Sequence, residues 1–148
     1  METSQYNKTL ELDPDSALAH QELGRAYVLR GELEEGIAEL EKMRTIVGSG
    51  PHGLADLGYA YARAGRESDA ARILEELLHL SSQGYALSYQ TALVYWGLED
   101  KNHAREWLEK AYEERNAYLL EIGVEPMWDG LRSDTRFMAL MKKIGLGK

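Results

Sequence analysis

A recurrence every 34 residues constrains this chain more than any other feature. Leu23-Gly24-Arg25-Ala26-Tyr27 returns as Leu57-Gly58-Tyr59-Ala60-Tyr61, and more loosely as Thr91-Ala92-Leu93-Val94-Tyr95. Gly24, Gly58 and Ala92 form one column of small residues, and Tyr27, Tyr61 and Tyr95 form a second. Gly36, Ala70 and Ala104 make a third, and Leu40, Leu74 and Leu108 a fourth, all stepping by the same interval. Four columns in phase over three units indicate one supersecondary unit repeated, each copy needing its neighbour to cover its hydrophobic face.

The columns have physical roles. The small residues of the first and third let two helices of a hairpin approach closely, and the Tyr and Leu columns fill the gaps between units. Gly31 and Gly65 stand where a first helix must stop and turn, the usual place for a left-handed cap. The period and these residues resemble the tetratricopeptide repeat (TPR), a helix–turn–helix unit of that length. The resemblance covers nearly the whole chain and implies an all-α fold. That fold is a right-handed superhelix of antiparallel helix pairs, a TPR solenoid with a C-terminal capping helix.

The register places repeat 1 at 17–50, repeat 2 at 51–84 and repeat 3 at 85–118, in a single domain over 1–148 closed by a capping segment at 119–148. Helices are predicted near 2–12, 16–30, 33–47, 51–64, 67–80, 85–98, 101–115 and 134–144. Two departures from the family pattern stand out. Gly48, Ser82 and Asn116 occupy the late position where the family often has proline, and repeat 3 carries Glu99 where repeats 1 and 2 have the turn glycine. Run backward, the register puts Tyr6 in the Leu40 column and Pro14 in the late-proline column. Residues 1–14 therefore read as the second helix of a truncated repeat, as in a fragment of a longer protein.

Beyond repeat 3 the phase breaks at Glu125-Pro126, and Trp128-Asp129-Gly130-Leu131-Arg132 reads as a short turn. Ser133 or Asp134 then caps a last helix with Phe137, Leu140, Met141 and Ile144 on one face. The stretch from Tyr95 to Leu146 is similar to the C-terminal TPR regions of bacterial signalling proteins, including transcription regulators, kinases and cyclases. The segments carrying that similarity are Ala104–Arg115 and Leu131–Phe137, with Thr135 where the family often has proline.

Composition narrows the function. A net charge of −8 speaks against nucleic acid, because phosphate binding needs clustered Lys and Arg. No run approaches the roughly 18 apolar residues of a membrane span, and no secretory signal opens the chain. The absence of cysteine removes thiolate and disulfide chemistry and fits a cytoplasmic setting.

The motifs that look like chemistry lack their context. Gly48-Ser49-Gly50-Pro51-His52-Gly53 spells G-x-G-x-x-G, but that fingerprint binds pyrophosphate only between a strand and a helix. Here it follows a predicted helix and reads as an inter-repeat turn, with Pro51 in the first turn of the next helix. His20, His52, His79 and His103 include no i,i+4 pair, so no metal or cofactor site is expected. No nucleophile elbow or cysteine is present, and Glu34-Glu35 and Glu75-Glu76 read as solvated helix faces. A site built from Glu22, His52 and Asp56 has no motif to fix its geometry. The chain is read as not an enzyme.

The TPR resemblance implies a concave groove lined by the first helices, and specificity is expected there. The residues assigned to it are Gln21, Arg25 and Val28 from repeat 1, His52, Asp56, Tyr59 and Arg63 from repeat 2, and Tyr89, Leu93 and Trp96 from repeat 3. Aromatic anchors with arginines suit an extended peptide or a helix. Arg25 and Arg63 are read as one basic spot for a partner's carboxylate. One TPR subclass clamps chaperone C-terminal carboxylates with Lys, Asn and Arg. Here Gln21, Arg25, Asp56, Ala86 and Gln90 hold those places, so that clamp is absent. The function expected is a protein–protein interaction scaffold that binds a partner protein or peptide in this groove. The alternative is a regulatory or oligomerising domain of a larger bacterial signalling protein, with a homodimer through the N-terminal face.

Overall fold

In the computed structural model, which describes residues 4–48 and 50–145, capping side chains set where three of the helices begin. Eight α-helices run in order: α1 Ser4–Leu12, α2 Ala17–Leu29, α3 Leu33–Val47, α4 Leu54–Arg63, α5 Glu67–Ser82, α6 Ser88–Gly97, α7 Lys101–Glu113 and α8 Thr135–Lys143. No strand forms among the described residues. Ser16 accepts from Ala19 N at 3.2 Å at the start of α2, and Asp100 from His103 N at 3.1 Å at the start of α7. Asp134 accepts from Arg136 N and Phe137 N at 3.0 and 3.1 Å and opens α8. Each cap satisfies helix N–H groups that lack an intrahelical partner.

The period survives in the hydrogen bonds. Helices α3, α5 and α7 begin at Leu33, Glu67 and Lys101, positions 34 apart. Before each, the chain turns with one bond pattern: Glu32 N, Arg66 N and Asp100 N donate to the carbonyls of Tyr27, Tyr61 and Tyr95 at 2.9, 2.9 and 3.0 Å. This is the six-to-one bond of a Schellman cap, which needs one left-handed residue. Gly31 and Gly65 supply it at φ 82° and 78°, and Glu99 supplies it at φ 62° despite its side chain.

Pairs α2–α3, α4–α5 and α6–α7 pack side by side, and α4 joins successive pairs through α3 and α6. The small columns lie at these crossings. A Cβ on Gly24 would sit 2.7 Å from Leu40 Cγ, and one on Gly36 would sit 2.6 Å from Val28 Cγ2. Ala70, Ala92 and Ala104 are fully buried. Between units, Tyr61 Oη donates to Glu41 Oε2 at 2.6 Å. In the Leu column Leu40 and Leu108 are fully buried, while Leu74 is half-buried.

Several boundaries differ from expectation. Helix α4 starts at Leu54 instead of 51, because Gly53 holds a left-handed conformation at φ 70° and ends the preceding turn. Pro51 therefore lies in that turn, its carbonyl accepting from Leu54 N at 3.1 Å, and not inside the helix. Helix α6 starts at Ser88 instead of 85, after an irregular stretch over 85–87. Residues 2 and 3 of the predicted first helix, Ser49 of the glycine-rich loop and Leu146 fall outside the described residues. Between α7 and α8 the chain forms two 3-10 stretches, Ala117–Gly123 and Pro126–Leu131, the second taking in most of the short turn expected at 128–132.

Candidate binding groove

Helical spacing gathers the groove residues. Gln21, Arg25 and Val28 share one face of α2, and Tyr89, Leu93 and Trp96 share one face of α6, at steps of four and three. Asp56, Tyr59 and Arg63 repeat those steps on α4, with His52 just before it. All ten residues line one of two hollows. Gln21, Arg25, His52, Asp56, Tyr89 and Leu93 line an open hollow of about 440 Å³. Val28, Tyr59, Arg63 and Trp96 line another of about 320 Å³.

The chain's own segment at 117–131 divides them. Met127 lines both hollows, while Tyr118, Glu121 and Glu125 line the larger and Pro126 and Gly130 the smaller. Trp96 Nε1 donates to the Met127 carbonyl at 2.7 Å, and Trp128 Nε1 donates to Tyr89 Oη at 2.9 Å. Trp128 is fully buried between Tyr89 and Phe137, with ring centroids 5.7 and 6.1 Å away. Arg132 Nη2 donates to the carbonyls of Ile122 and Glu125, holding the two 3-10 stretches together. The residues expected along one groove therefore face two hollows with this segment between them.

This also corrects the reading of the arginines as one spot. Arg25 faces the larger hollow, where its guanidinium pairs with Glu125 through Nη2 and lies 3.8 Å from Asp56 Oδ1 through Nε. Arg63 lines the smaller hollow and meets Glu99 at 3.4 Å near the surface. The carboxylate that reaches Arg25 comes from the same chain. Sequence reasoning missed Glu125, Met127 and Trp128. The available signal was a set of large apolar residues, Ile122, Met127, Trp128 and Leu131, in a stretch outside the repeat phase.

The charges in the larger hollow are mutually dependent. Burial alone would lower the Arg25 guanidinium, but Asp56 and Glu125 outweigh it and hold Arg25 above its ordinary value. Burial pushes the Asp56 carboxyl up, with Arg25 and a 2.9 Å hydrogen bond from Gln21 Nε2 pulling the other way. Burial likewise raises the phenols of Tyr59 and Tyr89.

His20 and His103 make local contacts away from the hollows. His20 is buried, with Nδ1 2.5 Å from Glu39 and Nε2 2.9 Å from the Pro14 carbonyl. His103 Nδ1 lies 2.6 Å from Asp100. Among the described residues, no group of three His, Asp, Glu or Cys is arranged to hold a metal ion. In the glycine-rich loop, Arg44 Nη1 takes the carbonyls of Gly50 and His52 at 2.8 and 2.9 Å, which fixes it as a turn between α3 and α4.

A family model of the tetratricopeptide repeat matches residues 5–38. That stretch is one period long and runs from α1 through α2 into α3. No curated protein matches the chain at a significant level. The packed helix pairs and the match agree on an all-α, TPR-like helical repeat. Among the described residues, no helix is long and apolar enough to cross a membrane.

Proposed function

We propose that this chain is a protein-interaction scaffold that captures a peptide or helical segment of a partner at the open end of its groove. The observation that carries the reading is the larger hollow. It is about 440 Å³, first-helix residues of all three predicted repeats converge on it, and half-exposed Tyr85 and Tyr118 stand at its rim. Pockets of that size with aromatic walls and a few fixed polar groups are what segment recognition uses. TPR-type repeats are in general non-catalytic interaction modules, so capture here involves no chemistry. The division into repeats at 17–50, 51–84 and 85–118 is part of the same proposal.

Selection from a random peptide library, followed by amide shift mapping, tests it. Binders are expected to perturb Gln21, His52, Tyr89 and Leu93. A footprint on the outward faces of α3, α5 and α7, or no binder at all, contradicts the reading.

A second reading is favoured by the docking of 117–131 in the chain's own groove. A stack that holds its own segment suits a regulatory or oligomerising domain of a larger protein, such as the bacterial signalling proteins that the C-terminal stretch resembles. A homodimer through the N-terminal face is compatible with α1, which buries none of its residues and leaves Leu12 90% exposed. Solution mass at several concentrations separates the two readings.

A further inference from the structure

The larger hollow has a charge and hydrogen-bonding character that specifies more than an apolar peptide. Its walls carry three carboxylates, Asp56, Glu121 and Glu125, against one guanidinium, Arg25. That guanidinium is paired with Glu125 through Nη2, while its Nε, 3.8 Å from Asp56 Oδ1, makes no hydrogen bond. Two buried acceptors in the same walls, Gln90 Oε1 and Glu125 Oε1, make no hydrogen bond within the chain. A buried acceptor in that condition is stabilised by a donor brought from outside. The rim adds ring faces: Tyr118 stacks on Tyr89 with centroids 6.0 Å apart, and Tyr85 stands half-exposed beside them.

We infer that the hollow receives a cationic side chain, arginine or lysine, from the partner segment. This rests on the scaffold reading and deepens it by naming the partner's chemistry. An ammonium or guanidinium supplies N–H donors to Gln90 Oε1 and Glu125 Oε1 and lies over tyrosine rings, whose faces attract cations. It also offsets the excess negative charge of the walls. A carboxylate arriving here faces three carboxylates and two unpaired acceptors, and finds one unpaired donor, the Nε of a guanidinium already paired with Glu125. The chain's net charge of −8 draws basic segments toward it over longer range.

Three end-capped tripeptides, Gly-Arg-Gly, Gly-Gln-Gly and Gly-Glu-Gly, titrated into the isotope-labelled chain test this. The arginine peptide is expected to shift amides around Tyr85–Gln90 and Tyr118–Glu121 and to bind about fivefold or more tighter than the glutamine peptide. Its affinity falls as salt is raised. Glu121→Gln, at an exposed rim position, and Gln90→Leu each weaken it while the melting temperature of Glu121→Gln is unchanged. Equal binding of all three, tighter binding of the glutamate peptide, or no shift from any of them overturns the inference. Library binders that map to the hollow but lack Lys and Arg remove the cation assignment and leave the scaffold reading standing. Binders that map elsewhere remove both.

Discussion

Trp96 Nε1 donates to the backbone carbonyl of Met127 at 2.7 Å, joining the last groove helix to the segment that divides the groove. A second indole answers it in the opposite direction, from Trp128 in that segment to Tyr89 on α6. Trp96→Phe keeps much of the ring but leaves a buried carbonyl unpaired, a loss of about 1–3 kcal/mol. Trp128→Ala removes a fully buried ring and is expected to cost about 3–5 kcal/mol. Urea unfolding measures both. A Trp96→Phe variant as stable as the parent contradicts the bond.

Gly58 lies at a helix crossing with no room for a side chain. A Cβ there would fall 2.7 Å from Ile73 Cγ2 and 2.8 Å from Val94 Cγ2. Gly58→Leu is expected to lower stability by about 1–3 kcal/mol through overpacking, with Gly58→Ala intermediate. An unchanged melting temperature in Gly58→Leu rules out this packing.

Glu99 occupies the left-handed turn position that Gly31 and Gly65 fill in the other two hairpins. Left-handed backbone costs a non-glycine residue roughly 1–2 kcal/mol. Glu99→Gly relieves that cost, gives up only an exposed contact with Arg63, and adds flexibility to the unfolded chain. The net expectation is a stability equal to or above the parent's. Gly65→Glu, the reverse exchange in the preceding hairpin, is expected to destabilise. Thermal melts of the two variants moving in the same direction would falsify the equivalence of the turns.

Burial pushes Tyr61 up to about 12, with its hydrogen bond to Glu41 and the charge of Glu41 adding to the rise. Because the folded value lies above the ordinary phenol's, the contribution to stability is fully present below pH about 10. It is lost as pH rises from there to about 12. Urea midpoints across that window should fall, and fall less in Tyr61→Phe. Identical slopes for the two proteins contradict this.

Helix α1 buries none of its residues, and a nine-residue helix is marginal without packing. Fast amide exchange over 4–12 is expected in a monomer, and protection that falls on dilution in a self-associating sample. Protection equal to that of α4 in a strict monomer contradicts both.

The helix pairs were legible before any coordinates because their causes are local or periodic. Residues such as Gly31, Gly65 and Asp134 act on backbone within a few positions, and the small columns recur at the period of the unit they pack. Even the starts of α3, α5 and α7 followed from this. The glycine loop at 48–53 misled by three residues, because whether Pro51 opens a helix or ends a turn depends on the backbone of Gly53.

The site was legible in part. The resemblance to the tetratricopeptide repeat, laid on the 34-residue register, assigned Gln21, Arg25, Asp56, Tyr89 and Trp96 to the groove, and helix geometry keeps those of one helix on a shared face. What those faces meet is a different matter. Arg25 and Glu125 are 100 residues apart, and no period, cap or turn signal links them. Their meeting depends on the stacking of three helix pairs and on a segment outside the repeat that returns across them. Each contact there becomes favourable only after the stack exists, because a buried ion pair and two indole hydrogen bonds need desolvated partners already in place. The 34-residue pattern therefore specified the scaffold, and the assembled tertiary structure decided how much of its groove remains open and what chemistry lines it.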